Sequence, residues 1–181
     1  HVLIRPRAGN FNYTHQELDI IKRDIAFCQS VGCQGVVCGV LNPLNQVDLQ
    51  ATNALVEAST DLEFTFHRAF DVVVDPFKAL EDLEALGVTR ILSSGQKPKA
   101  IDGIQLLKEL KNKSSTVQIM PGSGINKTNV VSFKQAGFEM IHFSALKNTP
   151  VVATTAAVNF SQGVEGSSDL QSIAEIIALV E

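Results

Sequence analysis

Leu62-Glu63-Phe64-Thr65-Phe66-His67-Arg68-Ala69-Phe70-Asp71 decides how this chain folds. An apolar run of strand-forming residues ends abruptly in His, Arg and Asp, as a strand does when it opens into a polar cleft. Two other runs end the same way. Val2-Leu3-Ile4 leads into Arg5-Pro6-Arg7, and Met140-Ile141 leads into His142-Phe143-Ser144. Three apolar strands with polar ends point to one pocket at one end of a sheet.

Outward from this stretch, strand-like runs alternate with helical patterns. The strands read as Val2–Ile4, Gly35–Val40, Leu62–Phe66, Arg90–Ser93, Thr116–Met120 and Glu139–Phe143. Most are near-continuous apolar runs, the pattern of parallel strands buried on both faces. Between them stand helix signals. Thr14 and Glu17 fit a capping box ahead of Leu18, Ile21, Ile25 and Cys28, and Gly32 fits the stop. Asp48 caps a second helix, and Asp75-Pro76 opens a third with the stripe Phe77, Leu80, Leu83 and Leu86. Ile101, Ile104, Leu107 and Leu110 mark a fourth, Asn126 opens a fifth, and Ser168 or Asp169 opens the last. Residues 151–167 break the rhythm and read as a loop.

This is a repeating βα pattern with six strands, and hence an α/β fold with a parallel sheet. A doubly wound sheet accommodates six strands, whereas a closed (β/α) barrel needs eight and ~250 residues. The chain opens at His1 and enters a strand almost at once, so the front of a barrel reads as missing. All 181 residues read as one domain.

Composition excludes several classes. Apolar residues are 45% and charged residues 19%, a globular balance. A net charge of -4 offers no basic surface for nucleic acid. No apolar run approaches the ~20 residues of a membrane span. The three cysteines, Cys28, Cys33 and Cys38, are an odd number without zinc-type spacing, and read as reduced thiols in a cytoplasmic protein.

Ligands of parallel α/β folds bind beyond the carboxyl ends of the strands. Arg5, Arg7 and Arg68 suit an anion there, because guanidinium grips carboxylate or phosphate with paired hydrogen bonds. The alternative use of Arg5 and Arg7 is pairing with acids such as Asp71. Met120-Pro121-Gly122-Ser123-Gly124-Ile125-Asn126 reads as strand, glycine-rich turn and helix start. In that setting Gly122, Ser123 and Gly124, with Ser144 from the next strand end, suit phosphate. His67 and His142 are candidates for proton transfer, with Asp71 orienting His67. The spacing of the histidines shows no metal triad.

The same residues resemble a known family. Ile4-Arg5-Pro6-Arg7-Ala8-Gly9-Asn10-Phe11, Phe66-His67-Arg68-Ala69-Phe70-Asp71, Ser94-Gly95, Met120-Pro121-Gly122-Ser123-Gly124-Ile125 and His142-Phe143-Ser144 look like the signature of the copper homeostasis protein CutC family. The resemblance runs in order from the first residue to about Ser144. It implies a TIM-like (β/α) barrel that is cytosolic and homo-oligomeric. It also implies a part in copper tolerance, with copper(I) as a possible bound ion. On this resemblance two βα units precede the present chain, one ending in Glu-Leu-Cys, and the six strands are the third to eighth. The family's triple glycine is Gly122-Ser123-Gly124 here, and its Gly-Asp-Phe is Gly9-Asn10-Phe11. Cys28, Cys33 and Cys38 match no cysteine motif of the family. Two functions therefore stand side by side: a copper-handling protein using thiolates, and a barrel enzyme acting on a small phosphorylated or carboxylated metabolite.

Overall fold

The structure, a computed structural model, describes residues 1–148 and 166–181. Five parallel strands form one sheet: β1 (Val2–Leu3), β2 (Gly35–Cys38), β3 (Glu63–Phe66), β4 (Arg90–Ser93) and β5 (Gln118–Pro121). Their order in space is their order in the chain. A doubly wound sheet reverses direction at a switch point. Here each new strand joins the same side of the previous one, which is the winding of a (β/α) barrel wall. The expected sixth strand, Glu139–Phe143, is reduced to one parallel bridge between His142 and Gly122, with His142 N–H donating to the Pro121 carbonyl at 2.8 Å. Glu139, Met140 and His142 are exposed, so little burial reinforces that run.

The two faces of the sheet differ, contrary to the expectation of apolar burial on both. Val36, Cys38, Phe64, Phe66, Ile91 and Ile119 are buried in one cluster with helix residues Ile21, Ile25, Leu55, Leu80, Leu83, Leu107 and Leu110. Each fully buried aliphatic of this kind contributes ~2 kcal/mol. The alternate residues face the other way. Val37, Thr65, Arg90 and Gln118 lie side by side in register there. Arg90, only 7% exposed, donates to Thr65 Oγ1 at 3.3 Å, Gln118 Oε1 at 3.1 Å and Glu63 Oε2 at 3.0 Å. Polar side chains of β3, β4 and β5 thus meet across this face, and the paired charge of Arg90 stands where an apolar residue was expected.

The helices follow their sequence signals. α1 (His15–Ser30) carries the Thr14/Glu17 capping box, α2 (Leu49–Ala58) is capped by Asp48, and α3 (Pro76–Ala85) by Asp75. α4 (Ile104–Lys113) presents Leu107 and Leu110 to the core. α5 (Val130–Gln135) starts later than expected. Asn126 Oδ1 instead accepts from Thr128 N–H and Oγ1, holding a turn before the helix. β6 (Leu146–Asn148) and β7 (Gly166–Ser168) form an unforeseen antiparallel pair, followed by α6 (Leu170–Val180) capped by Asp169. Of the expected loop 151–167, residues 151–165 lie outside the described residues, and Gly166 and Ser167 belong to β7.

Candidate functional site

The carboxyl ends of β1, β2 and β3 bring together Arg5, Phe11, Gly39 and His67. His67 follows β3 directly, with its backbone N–H tied to the Cys38 carbonyl at 3.1 Å. Its side chain is 4% exposed. Nδ1 accepts the Ala69 N–H at 3.2 Å and so caps the short 3-10 turn Arg68–Val72. An accepting Nδ1 leaves the imidazole proton on Nε2. That Nε2 is buried and has no hydrogen-bond partner among the described residues. The ring lies 4.9 Å from Phe11 and 6.1 Å from Phe66, centroid to centroid. Burial pushes the His67 pKa down to about 4, and the nearby Arg5 charge adds a smaller push in the same direction. The imidazole is therefore neutral at neutral pH. It can donate a hydrogen bond from Nε2, but it is a weak base.

The two leading arginines part company. Residues 5–7 lie past the end of β1 in a bent loop, so the alternation that would align them does not apply. Arg5, exposed, lies over the Phe11 ring at 4.8 Å and donates to the Gly9 carbonyl at 2.6 Å, its one hydrogen bond among the described residues. Arg7 turns to α1. It pairs with Glu17 at 2.5 Å, bonds Asn10 and Asn12, and lies over Tyr13 at 5.1 Å. Its donors are spent on loop and helix. Its partner acid is Glu17 rather than Asp71.

Asp71 does not orient His67. Its carboxylate accepts from Ser93 Oγ at 2.6 Å, Ser94 N–H at 2.9 Å, Ser94 Oγ at 2.9 Å and Gln96 N–H at 3.3 Å. Arg68 completes this group, donating to Asp71 at 2.7 Å and to Ser94 Oγ at 2.9 Å. Together these residues clasp the end of β3 to the end of β4. Arg68 remains 44% exposed, so one edge of its guanidinium still faces solvent.

At the end of β5, Ser123 adopts φ +91°. Its hydroxyl donates to the Pro98 carbonyl at 2.8 Å, and its own carbonyl accepts from Ala100 at 2.9 Å. The Gly124 carbonyl accepts from Asn126 and Asn129 side chains. The N–H groups of Gly124 and Ile125 find no acceptor among the described residues. The expected helix start is not here, because α5 begins only at Val130 and spans six residues. His142 is exposed and sits against Gly122, where an added Cβ would lie 3.3 Å from its own Cβ. Ser144 Oγ accepts from Leu146 N–H at 3.3 Å and lines a small cavity with Ile125 and Asn126, at the end of the glycine turn, and with Ser172 and Ile176 of α6.

Sequence reasoning missed two features of the site. Tyr13 Oη is buried without a hydrogen-bond partner among the described residues, and burial raises its pKa while Arg5 pulls it down. Gly39 lies under His67, and its need for a bare Cα became visible only once β2 and β3 were paired. A separate cavity of about 370 Å³ lies between the loop after β2 and α3, lined by Asn42, Asp48, Val73, Asp75 and Lys78. Among the described residues no group of three or more His, Cys, Asp and Glu is placed to hold a metal.

A parallel sheet wound once in chain order, with ionisable side chains gathered at its carboxyl edge, defines a (β/α) domain of TIM-like type. The CutC family pattern matches residues 1–147, and the chain belongs to the CutC family. Over 183 aligned residues it is 38% identical to a CutC family protein of Xanthomonas campestris pv. campestris, covering 100% of this chain and 76% of that one. It is 46% identical over 146 residues to one from Glaesserella parasuis, covering 80% and 60%. The crystal structure of Streptococcus agalactiae CutC, provisionally assigned to copper homeostasis, superposes with a TM-score of 0.74 at 35% identity. That match covers 78% of this chain and 70% of the other. A structure named native KDPGal superposes with a TM-score of 0.52 at 14% identity over 94% of this chain and 66% of that one, a likeness of fold alone.

Proposed function

We propose that this CutC-family chain serves copper homeostasis in the cytoplasm, and that its strand-end site engages a small anionic ligand, carboxylated or phosphorylated. One observation carries the ligand reading: a neutral, buried His67 holds its Nε2–H without a partner, beside a guanidinium that keeps free donors. An unpaired buried donor costs about 1–3 kcal/mol, a cost that an incoming oxygen would relieve. Arg5 supplies positive charge, Arg68 stands at the rim, and the Gly124 and Ile125 N–H groups offer a second anchor at the end of β5, two strands from β3. Arg7 and Asp71 shape the loops that carry these groups.

An enzymatic version rests on the same imidazole. A neutral histidine polarises a substrate carbonyl by donating its N–H, without itself carrying charge. His67 fits that role better than the role of general base. Neither His142 nor Ser144, both exposed, is drawn toward His67 by any hydrogen bond in the structure. Self-association belongs to the same reading, supported by Val2 and Leu3, exposed on strand β1. Light scattering on the purified chain tests it.

The ligand test is a thermal-shift screen of the chain against carboxylated and phosphorylated metabolites. Stabilisation by one class, lost in Arg5→Ala and His67→Phe, is expected. No stabilisation by either class would remove the ligand reading and leave the family role untouched.

A further inference from the structure

His67 Nε2 is buried so completely that no ligand oxygen reaches it in this conformation. Two aromatic rings lie beside the imidazole. Phe66 is fully buried in the core. Phe11 is half-buried and belongs to the loop between β1 and α1, residues 5–13. That loop is bonded mainly to itself. Arg7 donates to the carbonyls of Ala8, Asn10 and Asn12 and to Asn10 Oδ1, at 2.6–3.3 Å. Asn10 Oδ1 also accepts the Asn12 N–H, and Arg5 donates to the Gly9 carbonyl. Outward ties are few. Leu41 N–H donates to the Phe11 carbonyl at 3.0 Å, and Arg7 Nε pairs with Glu17 at 2.5 Å. Among the described residues no other hydrogen bond joins residues 5–13 to the rest of the chain.

A loop with many internal bonds and two outward ones opens as a unit, at a lower cost than the core beneath it. We propose that residues 5–13 form a lid over the His67 site, with Phe11 covering the imidazole and the Arg7–Glu17 pair latching the lid to α1. The lid is read from these contacts, and what enters beneath it rests on the ligand reading above. Arg5, exposed on the lid, meets an incoming anion before His67 does. Closure then excludes water from the imidazole, where a hydrogen bond to the ligand is strengthened by the low local dielectric. Arg7 therefore acts on the site through the lid, although its own donors are spent on the loop and α1.

The test is native-state amide hydrogen exchange of the full chain by NMR, without ligand. Leu41 N–H reports the lid, because its acceptor is the Phe11 carbonyl. Gly122 N–H, which donates to the Ser93 carbonyl at 2.9 Å, reports the sheet. In the wild type, after correction for intrinsic rates, Leu41 is expected to exchange about tenfold faster than Gly122 or more. Arg7→Lys keeps the charge and loses the fork, and is expected to widen that ratio by about another tenfold. Glu17→Gln keeps a capping box and removes the charge of the latch, and is expected to widen it by less. It decides the matter should Arg7→Lys unfold, which circular dichroism checks. The His67 Nε2–H signal, seen in the sealed wild type, is expected to vanish into exchange with water in Phe11→Ala. Equal protection of Leu41 and Gly122 in the wild type, an unchanged ratio in the folded latch variants, or a persistent Nε2–H signal in folded Phe11→Ala would overturn the lid and leave the ligand reading standing. A lid that opens in a chain no metabolite stabilises would stand, and the ligand reading alone would fall.

Discussion

Asp71 takes both the backbone N–H and the hydroxyl of Ser94, at 2.9 Å each. That double contact makes the acid of the His-Arg-Ala-Phe-Asp block a clasp between strand ends. Asp71→Ala would leave the Ser94 backbone N–H and the Ser93 hydroxyl short of their acceptor, while the Ser94 hydroxyl keeps the Lys97 carbonyl. Loss of about 3 kcal/mol of stability is expected, read as a lower urea midpoint at constant slope. A near-neutral result would mean that the clasp is not holding β3 to β4.

Ser123 separates two contributions of its own. Its φ of +91° suits glycine, while its hydroxyl anchors the turn to the Pro98 carbonyl. Strain at such an angle costs about 1–3 kcal/mol, and an exposed neutral hydrogen bond returns less. Ser123→Gly is expected to raise stability by about 1 kcal/mol, and Ser123→Ala to lower it by a similar amount, since alanine keeps the strain and drops the bond. Thermal unfolding of the pair decides: equal shifts in one direction would refute the balance.

Much of this was legible in the chain, for local reasons. The Thr14/Glu17 box, Asp75-Pro76 and Gly32 act within a few residues, so their signals survive without tertiary knowledge. The site was harder. His67, Arg68 and Asp71 are adjacent in sequence, which invited a shared role, yet the strand end points them at different partners: His67 toward Phe11, Arg68 and Asp71 toward Ser94. Arg5 and Arg7 diverge because the chain bends after β1, a fact carried by loop contacts at Glu17 and Asn12 rather than by spacing. Arg90 was read as the start of an apolar strand. Its partners Glu63, Thr65 and Gln118 come from neighbouring strands and emerge only with the register.

Gly39 tests whether the His67 seat matters. A Cβ placed there would lie 2.8 Å from His67 Nδ1 and 3.1 Å from Phe66 Cζ. The imidazole must then move off the Ala69 N–H. Gly39→Ala is expected to cost about 1–3 kcal/mol, as overpacking does. It should also abolish any ligand-induced thermal shift seen in the wild type. Retention of a full ligand shift in a destabilised Gly39→Ala would detach the binding site from the position of this ring.

The pH dependence of stability follows from the same ring. Folding lowers the His67 pKa from 6.5 to about 4, chiefly through burial. Above pH 6.5 both folded and unfolded chains carry the neutral imidazole, and the residue contributes no pH slope. Between 6.5 and about 4 only the unfolded chain takes up the proton, so stability falls as the solution is acidified. Below about 4 both forms are protonated and the loss levels off. The full difference is about 3 kcal/mol. His67→Gln removes this titration while keeping a polar side chain. The stability gap between wild type and variant, measured by urea unfolding from pH 7.5 to 4, is therefore expected to shift by about that amount against the wild type. The His67 imidazole proton signals should titrate with a midpoint near 4 in the folded chain. A gap that stays constant across this range, or a midpoint near 6.5, would show the ring to be solvated, and the unpartnered Nε2–H would no longer point to a ligand.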